Sequence, residues 1–176
     1  QVWPFGLVDE YNSPDKSYST FGGNPYFVDL EKLFQDGLIT EEELNSSKQQ
    51  TPYSCEFDRL REERVKLLIN ASKRADSELK EKITSFINSN KYLKDFCCFM
   101  ALKEKNGQKE WTLWEDTSFD KDVEFGWQFI QYEFFTQWAE IKKYANEKGI
   151  GIIGDIPIYV SFDSSDVYWS RKLFML

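Results

Sequence analysis

Residues 149–160 constrain the fold more than any other stretch: Gly149-Ile150-Gly151-Ile152-Ile153-Gly154-Asp155-Ile156-Pro157-Ile158-Tyr159-Val160. Near-continuous β-branched residues read as a strand of a parallel sheet, buried on both faces. Pro157 stops regular structure just beyond Asp155. In α/β folds the chemistry gathers beyond the carboxyl ends of strands, which puts Asp155 where a working carboxylate would sit. The glycines also spell G-x-G-x-x-G. A dinucleotide site would need a strand before them and a helix after them. Here a helical pattern precedes, the apolar run lies between the glycines, and Asp-x-Pro follows. Close crossing of a helix over the strand is the better reading of these small residues.

The preceding segment gives the clearest helical signal. Trp127, Ile130, Phe134, Trp138, Ile141 and Ala145 are spaced 3, 4, 4, 3 and 4. That is one face of a helix about twenty residues long. Lys142, Lys143 and Lys148 suit its C-terminal dipole, and Gly149 ends it. Helix, glycine, buried strand and carboxylate make an αβ unit of a parallel sheet or barrel.

Upstream, Val2, Trp3, Phe5 and Leu7 read as a short strand broken by Pro4 and Gly6. Turn chemistry fills residues 9–16, and residues 17–26 follow a tight path set by Gly22, Gly23, Asn24 and Pro25. From residue 27 to about 105 the pattern is helical. Leu30, Leu33 and Phe34 form a stripe that stops at Asp36-Gly37, and Thr40 with Glu43 spells a capping box. A long helical stretch is expected over 57–88 and another through Tyr92, Phe96, Phe99, Met100 and Leu102. Residues 115–124 read as an acidic linker. Asp163-Ser164-Ser165-Asp166 could hold a cation, but N-capping by Asp163 or Ser164 is favoured.

Composition narrows the function classes. The chain has 176 residues, 41% hydrophobic and 17% aromatic, enough for one sizeable core. A net charge of -8 argues against nucleic acid or an anionic membrane as the main partner. Histidine is absent, which removes the commonest metal ligand and every His-based triad. Of the three cysteines, Cys97 and Cys98 are neighbours and no C-x-x-C occurs, so no disulfide framework or zinc site is expected. No apolar run is long enough to span a membrane and no signal peptide is visible, so a reducing, cytoplasmic setting is expected. The chain begins at Gln1 and closes on Lys172-Leu173-Phe174-Met175-Leu176, which reads as a piece of a longer protein.

Several segments resemble one family. Gly154-Asp155-Ile156-Pro157-Ile158-Tyr159-Val160 with Asp163-Ser164-Ser165-Asp166-Val167 is similar to the region I segment of the 4-α-glucanotransferases (amylomaltases) of the α-amylase clan. Gln137-Trp138 through Lys143-Tyr144-Ala145-Asn146 fits the helix before it. Ser19-Thr20-Phe21-Gly22-Gly23-Asn24-Pro25-Tyr26 resembles the family's Ser-Ala-Phe-Ala-Gly-Asn-Pro-Tyr loop. Asp36-Gly37-Leu38-Ile39 and the 95–102 segment with Trp111 and Trp114 agree in order.

The resemblance implies an α/β fold: part of a (β/α)8 TIM barrel with a mainly helical insertion. Residues 1–27 would carry the first barrel strand and a glucan-facing loop. Residues 28–122 would be the insertion, and 123–176 a barrel helix, buried strand and following loop. The implied activity is retaining transfer of α-1,4-glucan segments between maltooligosaccharides through two carboxylates, without metal or cofactor. The nucleophile and acid/base would lie beyond Leu176, so no catalytic residue falls within this chain. Asp155 carries over as support for the active site, with Ser13 and Asp15 as candidate substrate-binding positions. Val160 stands where many clan members have a sugar-binding histidine, and Tyr168 where a Trp is usual. Asp15 and Glu10 replace aromatic residues of the family's first loop. These lost rings leave an alternative: a non-catalytic carbohydrate-binding or scaffold relative with a degraded donor site.

Overall fold

The computed structural model describes residues 1–8, 11–157 and 159–176. Asp9 and Glu10 of the first loop and Ile158 of the expected strand lie outside the described residues.

Eight helices run in chain order among the described residues: α1 (Leu30–Gln35), α2 (Glu41–Ser46), α3 (Phe57–Arg59), α4 (Val65–Ser72), α5 (Ser77–Asn88), α6 (Lys91–Lys105), α7 (Lys121–Glu147) and α8 (Ser165–Trp169). A π-helical turn (Leu60–Arg64) joins α3 to α4. Single 3₁₀ turns lie at Pro25–Phe27, Trp111–Leu113 and Arg171–Leu173.

The helix ends follow local chemistry. Glu43 N–H donates to Thr40 Oγ1 at 3.2 Å and Thr40 N–H to Glu43 Oε2 at 2.8 Å, completing the capping box. At the end of α7, Gly149 takes φ +73°. Ile150 N–H then reaches Ala145 O and Gly149 N–H reaches Asn146 O, both at 2.9 Å. This is a Schellman motif, which needs the left-handed residue that glycine supplies at least cost.

Helix α7 is the spine and packs on α4, α5 and α6. Trp127, Phe129 and Ile130 on α7 are fully buried with Leu68 and Ala71 of α4, Ile83 of α5 and Phe96 and Phe99 of α6. The α4–α7 crossing is close because Gly126 faces Ile69, where a Cβ would lie 2.8 Å from the Ile69 side chain.

Three expectations are corrected. The single helix over 57–88 is interrupted at residues 73–76, where Asp76 caps α5 through Leu79 N–H at 2.8 Å and Arg74 turns aside to Leu38 O at 2.9 Å. The acidic linker is partly helix: Asp120 accepts from Asp122 N–H at 2.8 Å, so α7 starts at Lys121.

The third correction concerns the sheet. Among the described residues neither 1–7 nor 150–157 forms a strand, and the expected burial does not occur. Ile150, Ile153, Ile156 and Tyr159 are 59%, 68%, 74% and 79% exposed. Val2 N–H donates to Ile153 O at 2.9 Å, and Val8 and Ser17 form an isolated antiparallel bridge. A helix satisfies its own backbone groups, whereas a strand depends on neighbours along both edges. Such isolated pairings do not make a sheet.

Candidate functional site

The 17–26 loop is anchored from two sides. Gln131 of α7, fully buried, accepts from Gly23 N–H at 2.7 Å and donates to Gly23 O at 3.0 Å. Gly23 presses so closely on the Phe134 ring that a Cβ there would meet it at 2.1 Å. From the far end of the chain, Ser165 N–H donates to Tyr18 O at 2.9 Å, and Asp166 Oδ2 accepts from Thr20 N–H at 3.1 Å. Ser164 caps α8 through Val167 N–H at 3.3 Å.

Asp163 does not cap. It accepts from Lys103 Nζ at 2.5 Å through Oδ2 and from Trp111 N–H at 3.2 Å through Oδ1. Lys103 is 1% exposed, also donates to Gln108 O and Lys109 O at 3.1 Å each, and lies 4.7 Å from the Tyr18 ring centre. One buried ammonium thus ties α6, the 108–111 loop, the 17–26 loop and the segment after Asp155 together. Its position was readable: Phe96, Phe99, Met100 and Lys103 share a helical face. A charge on an apolar face is the signal that was passed over.

Among the described residues no hydrogen bond or ion pair joins Asp155 to Ser13 or Asp15, which share one turn. Asp155 is exposed, accepts from its neighbour Ile156 N–H at 2.8 Å, and has Gln1 Nε2 at 3.5 Å. Ser13 is half-buried and its carbonyl accepts from Lys16 N–H at 3.2 Å, closing a turn that leaves Asp15 exposed. Asn12 precedes this turn with φ 58°, a left-handed conformation Asn tolerates.

Beside that turn lies a cleft of about 610 Å³. One wall is the N-terminal segment with Trp3 and Pro4, then Asn12 and Pro14, then Asn24, Tyr26 and Phe27. The other is Phe57, Arg59, Leu60, Glu63 and Arg64, from α3 and the π turn. Asn24 sets the first wall: its N–H donates to Phe5 O at 2.8 Å, and its side chain accepts from Tyr26 N–H at 2.9 Å. Arg59 holds Glu56 and Glu63 at 2.9 Å each and reaches the carbonyls of Lys48 and Ser46. Burial pushes the Tyr26 hydroxyl up, against the Arg61 charge. Aromatic faces with amide, hydroxyl and charged edges suit a sugar-sized ligand. Sequence reading missed the cleft, which joins segments more than twenty residues apart.

Among the described residues no group of three or more His, Cys, Asp or Glu is placed to hold a metal ion, and no helix is long and apolar enough to cross a membrane.

Comparison with known proteins covers the whole chain. The family described as 4-alpha-glucanotransferase matches residues 1–176. The 4-alpha-glucanotransferase of Clostridium butyricum is 37% identical over 195 aligned positions, spanning 100% of this chain and 39% of that protein. The Thermus thermophilus 4-alpha-glucanotransferase is 30% identical, with 100% of this chain and 38% of that protein covered. The amylomaltase from Streptococcus agalactiae, solved in complex with acarbose, superposes with a TM-score of 0.90 at 32% identity. That match covers 98% of this chain and 38% of the solved one. The chain therefore spans a little under two fifths of the length of these relatives.

Proposed function

The chain belongs to the 4-alpha-glucanotransferase family, and from that premise we propose that it forms the N-terminal part of an enzyme moving α-1,4-glucan segments between maltooligosaccharides. The observation that carries this reading is the superposition of nearly the entire chain on an amylomaltase solved with acarbose. In this reading residues 1–27 and 123–176 contribute to a (β/α)8 barrel, with 28–122 as the helical insertion. Further strands of that barrel then pair with the backbone edges of residues 150–156, and its other layers cover the exposed isoleucines.

The reaction is retaining transfer. One carboxylate attacks the anomeric carbon and the leaving oxygen takes a proton from the second; a sugar hydroxyl then displaces the enzyme carboxylate. In this reading both carboxylates belong to the part of the protein beyond this chain. What the chain supplies is support: Asp155 beyond the end of the 150–154 segment, and Ser13 and Asp15 on the first loop. The compartment is proposed to be the cytoplasm.

One feature favours a second reading, a carbohydrate-binding relative without turnover: Asp15, which the resemblance sets against a ring of the family's first loop, is exposed at the turn and offers no stacking surface. Incubating the complete protein that carries this chain with maltotriose separates the two. Longer oligosaccharides and glucose are expected. Bound maltotriose without longer products would overturn the transferase reading. Asp155→Asn should leave the protein folded and lower transfer about a hundredfold, the cost of a misplaced reacting group. Unchanged turnover would remove Asp155 from the site.

A further inference from the structure

We propose that Lys103 is a positioning residue for glucan transfer: through Asp163, its buried ammonium fixes where the segment that begins at Asp155 is held against the helical insertion. The inference rests on the transferase reading, in which that segment belongs to the barrel and Asp155 supports the reacting groups.

Lys103 completes an otherwise apolar face of α6, after Phe96, Phe99 and Met100, and is 1% exposed. Stability alone does not call for a charge there, since apolar side chains of similar volume often replace a buried ion pair without loss. What the ammonium adds is direction. It donates to Asp163 Oδ2 at 2.5 Å and to the carbonyls of Gln108 and Lys109 at 3.1 Å each, which uses its full set of donors. The other oxygen of Asp163 accepts from Trp111 N–H at 3.2 Å, and Trp111 Nε1 donates to Phe162 O at 2.8 Å. Residues 162–163 and the 108–111 loop therefore meet at one charge, and neither can slide without breaking directional bonds. The loop is shaped for this contact. Gln108 takes φ 63°, a left-handed conformation that costs a residue with a side chain free energy. In that conformation its N–H returns to Lys103 O at 2.8 Å while its carbonyl accepts from the ammonium.

The loop beside Ser13 and Asp15 is held by other means. Lys103 meets it at the Tyr18 ring, but Gln131 grips Gly23 through both its N–H and its carbonyl, and Lys16 N–H closes the turn on Ser13 O. Loss of the ammonium should therefore loosen the segment after Asp155 and spare the turn that carries Ser13 and Asp15. Misalignment of a group that acts in the transition state lowers kcat and leaves ground-state binding in place.

Steady-state transfer from maltotriose by the complete protein carrying this chain, with thermal melting of each variant alongside, is the test. Lys103→Met combined with Asp163→Leu restores an apolar fit. It should keep most of the stability and a KM within about threefold, while kcat falls about tenfold or more. Asp163→Asn keeps the shape of the carboxylate without its charge and should lower kcat about threefold at unchanged KM. Ile83→Ala, a buried truncation on α5, should lower Tm and leave kcat unchanged. A double variant whose kcat returns with its stability overturns the proposal, as does a loss confined to KM or an equal fall of kcat in Ile83→Ala. If the double variant does not fold, Asp163→Asn decides alone, and unchanged kcat there overturns the proposal. An unsubstituted protein that makes no longer oligosaccharides overturns the transferase reading and this inference with it. Transfer that is insensitive to Lys103 and Asp163 overturns this inference alone.

Discussion

Helix α7 and the residues that follow it are chemically alike and structurally opposite. Both are rich in large apolar side chains, and Lys148 and Gly149 alone separate them. On α7, Ile130 is fully buried; at residue 153 the same side chain is 68% exposed. The difference lies in backbone bonding. A helix closes its own hydrogen bonds and needs only one covered face, which α4, α5 and α6 provide. An extended segment has no internal bonds, and here Val2 supplies one partner. Apolar composition therefore marks where burial is wanted, and topology decides whether it is obtained.

The comparison is sharpened first by one truncation made in both regions. Ile130→Ala should cost about 2–5 kcal/mol, and Ile153→Ala less than about 0.5 kcal/mol, by urea unfolding of this chain. Comparable losses would mean that residues 150–157 are packed after all.

The buried ammonium comes next. Lys103→Met leaves Asp163 without its cation and should cost about 3 kcal/mol. Lys103→Met with Asp163→Leu should recover much of that loss in the same unfolding experiment. No recovery would show that the bonds to the 108–109 carbonyls and Trp111, rather than the ion pair, dominate.

A smaller effect concerns Glu133 on α7. Burial raises its carboxyl to about 6, with Gln137, Asp36, Lys32 and Glu140 around it. A carboxyl raised in the folded state contributes most below its unfolded value, near 4.5. That contribution is lost as pH climbs through about 6. Glu133→Gln should therefore flatten the stability profile between those limits and raise Tm at pH 7–8. A Tm profile parallel to that of the unsubstituted protein would contradict the assignment.

Much of the helical part was legible in the sequence, because its determinants are local. The Thr40–Glu43 box, the stop at Gly149 and the Trp127–Ile130–Phe134 face each follow from residues within one or two turns of one another. The break at residues 73–76 was not legible, since Arg74 leaves the helix face to meet Leu38 O and Glu43 across the fold. Lys103 and Gln131 were missed for a related reason: a buried polar group declares itself only once its distant partners, Asp163 and Gly23, are known. The cleft was the least legible feature, because Trp3, Asn24 and Arg64 are assembled by tertiary packing alone. Asp155 was read as lying beyond the end of a buried strand; among the described residues that strand does not form, and the proposed role of Asp155 depends on the pairing of that run.

Hydrogen exchange at the amides of residues 151–156 tests that dependence most directly. In this chain they should exchange nearly as fast as unstructured peptide, while those of α7 between residues 127 and 138 stay protected. In the complete protein carrying the chain, protection at 151–156 should rise to the level of α7. Equal, strong protection of both segments in the chain alone would contradict the account.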